Sequence, residues 1–122
     1  MKTINNKTTT FSLKSLEDVS SGDKEFLRVM ITTLIQTTNE GLSGLKRSLS
    51  VNDWKSMSEY AHKICSPCLH VEAMEVYKLL KQIENNCRNQ ENLGHVGELV
   101  DKLEEETKLL INWAEDELKK LE

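Results

Sequence analysis

The chain has 122 residues, 38% of them apolar and 5% aromatic, which is the size of one domain with a core built mainly from Leu, Ile, Val and Met. Asp and Glu outnumber Lys and Arg by 20 to 16, and the basic residues are scattered, so the footprint of a nucleic-acid-binding protein is missing. No apolar run approaches the roughly 18–20 residues of a membrane span, and no membrane contact is expected of this domain.

Residues 1–10 are polar and Thr-rich, unlike a signal peptide, and are expected as a disordered tail or a linker stub; residues 11–122 are expected as the folded domain. A short helix is predicted from Ser12 or Leu13 to Val19, with Phe11, Leu13, Leu16 and Val19 as its apolar side and Ser20-Ser21-Gly22 as its end. Asp23 is placed to cap a long helix from Lys24 to Ser48 or Leu49. Its predicted stripe is Phe26 or Leu27, Met30, Leu34, Thr37, Gly41, Leu45 and Leu49. Gly41 and Gly44 each cost about 1 kcal/mol relative to Ala inside a helix, and they are expected to mark a kink or a close approach by a neighbour.

Asn52 and Asp53 are expected to cap the next helix, whose stripe is Trp54, Met57, Ala61, Ile64, Cys65 and Cys68. Pro67 gives no N–H to the carbonyl of Lys63, so the helix is expected to bend or end there, with His70-Val71 as the connection. Glu72 is the predicted start of a third long helix to Arg88, with Ala73, Val76, Leu80, Ile83 and Cys87 as its seam. A polar loop through Gly94 leads to a fourth, from Val96 to Leu121. One Pro, five Gly and no stretch of period two leave no room for a sheet. The expected fold is all-α, an antiparallel up-down-up-down four-helix bundle with a short N-terminal helix capping one end.

His62 falls just off the stripe of its helix. Its helical neighbours are Ser58, Glu59, Cys65 and Ser66, with Lys63 beside it. An exposed imidazole among small side chains suits a nucleophile whose target is carried by another protein. The ring is expected to be free of any carboxylate holding it as in a hydrolytic triad. His70 and His95 lie at helix ends and lack such a presentation.

Cys65-Ser66-Pro67-Cys68 has the form of a redox motif. Such motifs act at a helix N-terminus, where the dipole lowers the thiol pKa, and this one lies at a C-terminal end. Both thiols fit the apolar stripe and are expected to be reduced and buried. A zinc set of His62, Cys65, Cys68 and His70 would have ligands about 120° apart around the axis and ~9 Å apart along it, against tetrahedral coordination. An odd count of three Cys suits a reduced, cytoplasmic chain.

Ala61-His62-Lys63-Ile64 in an amphipathic helix, followed by Ala73 and by Leu79-Leu80 to Ile83-Glu84, resembles the histidine-containing phosphotransfer (HPt) domains of two-component phosphorelays. The resemblance spans about Phe11 to Leu121. It implies that His62 is the phosphoacceptor, exchanging a phosphoryl group with the aspartate of a response-regulator receiver domain. The chain would be a phosphoryl carrier and not an enzyme, a free protein or part of a hybrid histidine kinase. It would hold no cofactor, with Mg²⁺ on the receiver only. The expected partners are a receiver domain and a histidine kinase, and the chain is expected as a monomer. Ser58, Glu59, Lys63, Cys65, Ser66, Lys78 and Gln82 are expected at the phosphoryl or receiver-contacting surface. Two positions depart from the family pattern: its usual Lys three residues after the acceptor is Cys65, and its usual Gly is Ser66. The missing Lys leaves a charge deficit beside a phosphoryl group, for which Lys63, Lys78 and Lys81 are the candidate substitutes. The alternative is a bundle of the same fold that only binds proteins.

Overall fold

The computed structural model describes residues 10–122, so the expected tail, apart from Thr10, lies outside the described residues. Helix α1 covers Lys14–Ser20, α2 Lys24–Ser50, α3 Trp54–His70, α4 Met74–Asn89 and α5 Val96–Lys120, with a 3₁₀ turn at Leu93–His95 before α5. Among the described residues there is no strand. Each long helix packs on the next and α5 closes back on α2, which makes the expected antiparallel four-helix bundle.

The helix starts follow from their caps. Asp23 accepts from the amides of Glu25 and Phe26 at 2.9 and 3.2 Å, and Asp53 accepts from Ser56 N at 3.1 Å and Ser56 Oγ at 2.7 Å. Asn52 is no cap. It sits in the turn before α3 with φ 56°, a conformation its short amide tolerates. The same turn recurs after α3: Asp53 N donates to Ser48 O and Ala73 N to Cys68 O, both at 2.9 Å. Glu72 takes the place of Asn52 there with φ 59°, so it belongs to the turn, and α4 begins two residues later than expected.

Helix α3 also runs through Pro67 to His70 instead of ending there. The hydrogen bond missing at Lys63 O is offset by packing beyond it, because Cys68 and Val71 are both fully buried. On α2 the buried face is Leu27, Ile31, Leu34, Thr38, Gly41, Gly44, Leu45 and Ser48, with Ile31, Thr38 and Ser48 buried where the expected stripe has Met30, Thr37 and Leu49.

The bundle is closed at the end that holds the α3–α4 turn. Ser12 N donates to Val71 O at 3.0 Å, the Phe11 ring lies 5.4 Å from that of Trp113, and Leu16 is buried. Arg28 on α2 donates to Leu121 O at 3.1 Å and ties down the end of α5. His62 stands at the midpoint of α3, away from both ends of the bundle.

Candidate functional site around His62

Helix α3 is fixed on its α2 flank by small residues. A Cβ at Gly41 would overlap the Ile64 side chain, and one at Gly44 would overlap the Tyr60 ring. The two glycines mark a close approach, one of the two outcomes expected of them. Tyr60 OH accepts from Arg47 Nη2 at 3.2 Å. Ala61, Ile64 and Cys68 point into the core, which leaves His62 facing outward with 68% of its side chain exposed.

The α4 flank is polar. Glu84 has only 1% of its side chain exposed, and its Oε2 lies 3.0 Å from His62 Nδ1. Lys81 Nζ is 3.2 Å from the other oxygen, Oε1, and Arg88 Nη2 also donates to Oε2. Burial works to raise the Glu84 carboxyl, but the hydrogen bonds and charges of Lys81 and Arg88 outweigh it and hold the group below its ordinary value. The bond to Glu84 in turn raises Lys81 above its own. The spacing 81, 84, 88 puts all three on one side of α4.

This corrects the expectation of a ring without a carboxylate partner. An ionised carboxylate only accepts, so Nδ1 must carry the proton that bridges to Glu84. In the neutral ring the lone pair then resides on Nε2, which faces solvent. The arrangement fixes both the orientation and the tautomer of an exposed nucleophile.

The other expected site residues divide. Ser56, Ser58, Glu59, Tyr60, His62, Lys63 and Arg88 line an open cavity of about 450 Å³. Ser58 is buried, its hydroxyl donating to Lys55 O at 3.0 Å, so it is small packing below the ring. Cys65 is buried too and donates to Ala61 O at 3.3 Å. Ser66 is exposed one turn from His62, and Lys63 is exposed with no partner among the described residues. Lys78 pairs with Glu75 on its own helix at 3.7 Å, and Gln82 is exposed. Neither is hydrogen-bonded to the imidazole, whose partner is Glu84. Reflection about the middle of the turn, Glu72, puts residues near 82 level with His62, and of these Lys81 and Glu84 lie on the flank facing α3. The sequence did carry a signal for Glu84, an acid on the seam between Leu80 and Cys87 with cations three residues before and four after.

The three cysteines are free thiols and buried. Burial raises all three, Cys68 to about 12, which opposes thiolate chemistry. His62 and Cys68 sit on one unbroken helix, one exposed and the other fully buried.

Fold and site together define a helical bundle that presents one oriented imidazole at mid-length. The family model of the Hpt domain matches residues 29–113, and the chain belongs to that family, whose members carry phosphoryl groups on a histidine. In structure the chain is similar to histidine-containing phosphotransfer protein B from Pseudomonas aeruginosa PAO1, with a TM-score of 0.83 at 17% identity over 93% of this chain and 98% of that one. At that identity the likeness shows the shared fold. No curated protein matches the chain in sequence. No helix among the described residues is long and apolar enough to cross a membrane.

Proposed function

We propose that His62 accepts a phosphoryl group from the aspartyl phosphate of a response-regulator receiver domain and returns it to such a domain, as a carrier in a two-component phosphorelay. The observation that carries this reading is the exposed Nε2 of a ring whose Nδ1–H is held by buried Glu84. In the forward step the Nε2 lone pair attacks phosphorus in line. The N–P bond forms, the acyl O–P bond breaks, and the electron pair leaves with the aspartate carboxylate. The ring becomes an imidazolium that keeps its Nδ1 proton on Glu84. In the reverse step the aspartate oxygen attacks and the N–P electrons return to the ring. Glu84 stabilises the positive ring in both directions, which keeps the imidazole a good leaving group. Mg²⁺ for the transfer belongs to the receiver, and the chain acts as a monomer in the cytoplasm.

One feature favours the second reading, a bundle that binds a receiver without accepting phosphate: Cys65 stands where the family pattern has a lysine. The test is transfer of label from a phosphorylated receiver, comparing His62→Gln, His70→Gln and His95→Gln. His70 ends α3, and His95 lies in the 3₁₀ turn with Glu98 Oε2 3.1 Å from its Nδ1. Acid-labile label should vanish with the first change and persist with the other two. Label that survives His62→Gln would overturn the assignment, and a wild type that binds a receiver but takes no label would favour the second reading.

A further inference from the structure

The charges around the ring do not balance in the unloaded protein. One buried carboxylate, Glu84, is met by two cations, Lys81 and Arg88, and also accepts a hydrogen bond from the ring. Around Glu84 the pairs therefore leave one positive charge over before any phosphoryl group arrives, and Glu59 and Lys63, which also line the cavity, offset each other. Loading adds nearly two negative charges at Nε2 and one positive charge on the ring at Nδ1. The cationic ring can then satisfy Glu84 Oε2 by itself, and one of the two α4 cations is released.

The geometry selects which one. Lys81 holds Oε1, the oxygen that the ring does not use. Arg88 shares Oε2 with Nδ1, so its Nη2 and the ring nitrogen lie no more than about 6 Å apart, twice a hydrogen-bond length. Arg88 also lines the cavity that holds His62, and Lys81 does not. Its side chain is 57% exposed, and the remaining N–H groups of its fork have no partner among the described residues. A planar guanidinium fits phosphoryl oxygens better than an ammonium does. Lys63, the other cation in the cavity, is exposed and has no ion-pair partner among the described residues, so fixing it costs rotamer entropy that Arg88 has already lost.

Resting on the relay reading of His62, we propose that Arg88 is the phosphoryl-binding cation of this site, held on Glu84 while His62 is unloaded and turning to the phosphoryl oxygens once Nε2 is loaded. It supplies from α4 the charge that Cys65 does not supply from α3.

The test loads the protein without a receiver, using phosphoramidate: its P–N bond breaks, ammonia leaves with the electron pair, and the N–P bond to His62 forms. The ³¹P resonance of phospho-His62 is then titrated. Arg88→Gln should raise the midpoint of the phosphoryl titration by about one pH unit, the effect of removing one adjacent cation. Arg88→Lys should retain most of the wild-type midpoint, and Lys63→Gln should move it by less than Arg88→Gln does. Circular dichroism of each variant reports folding. An unmoved midpoint in folded Arg88→Gln, or the same shift in Lys63→Gln instead, would overturn the proposal. Loaded wild type that passes nothing to any receiver would sink the relay reading and leave the arginine result standing.

Discussion

The two flanks of α3 are built by opposite means. Toward α2 the contact is steric: Gly41 and Gly44 lack side chains so that Ile64 and Tyr60 can lie against the α2 backbone. Toward α4 it is electrostatic: a buried carboxylate holds the ring and Arg88 on one oxygen and Lys81 on the other. The first flank sets where His62 stands, and the second sets which nitrogen is free to react. Position and reactivity are therefore separable here, and substitutions on the two flanks should fail in different ways.

The largest effect is expected on the α4 flank, in function and not in folding. Glu84→Ala removes the acceptor that orients the ring. Transfer from a phosphorylated receiver should slow about 10- to 100-fold, by analogy with loss of the partner that orients a metal-bound imidazole. Lys81 and Arg88 have exposed heads that water can serve, so the fold should survive. Glu84→Gln keeps an oxygen for Nδ1–H and should lose less. Single-turnover kinetics check both, and an Ala variant as fast as wild type would make the α4 flank mere packing.

The α2 flank should break the other way. Gly41→Ala drives a methyl into Ile64, which is fully buried and has nowhere to go. Overpacking of this kind costs about 1–3 kcal/mol, partly offset by the ~1 kcal/mol that Ala gains over Gly in a helix. Gly44→Ala meets the Tyr60 ring, which is only half-buried and can swing outward, so its cost should be smaller. Urea melts give the order. Label per folded molecule should change little in either, and a stable Gly41→Ala protein with slow transfer would show that the flanks are coupled.

The same division governs what the sequence discloses. The four long helices were legible because each writes its apolar stripe in its own residues, and the capping aspartates Asp23 and Asp53 stand beside them. Pro67 does not end α3, because that local rule is outweighed by burial of Cys68 and Val71. The turn at Glu72 was hidden because a glutamate seldom adopts a positive φ, and only likeness to the turn at Asn52 discloses it. His62 could be picked out from one helix, whereas its partner could not. Lys78 and Gln82 follow from counting back along α4, but the facing residue depends on turn length and helix rotation, which no single stripe records. Glu84 lay in plain view as an acid on an apolar seam, and its meaning required knowing what stood across from it.

The smallest expected effect sharpens the electrostatic half of the comparison. Glu84 is held below its ordinary value in the folded chain, since the cations overcome the burial that would raise it. Such a carboxyl contributes stability that is present above its unfolded pKa of about 4.3 and is lost as pH falls through the lower folded value. Asp53 and Glu104 are also lowered, by hydrogen bonds from Ser56 and Lys46, so the whole chain should weaken in acid. Glu84→Gln keeps those two and lacks only the third, so the difference between two urea-midpoint curves isolates it. Wild type should be the more stable at neutral pH, and its advantage should shrink as pH drops below about 4. Lys81 does not enter this limb: its raised value gives stability that is lost only in strong alkali, above about pH 10. Parallel curves for the two proteins would mean that the cations of α4 do not discharge onto Glu84, and the charge surplus assigned to the unloaded site would have to be recounted.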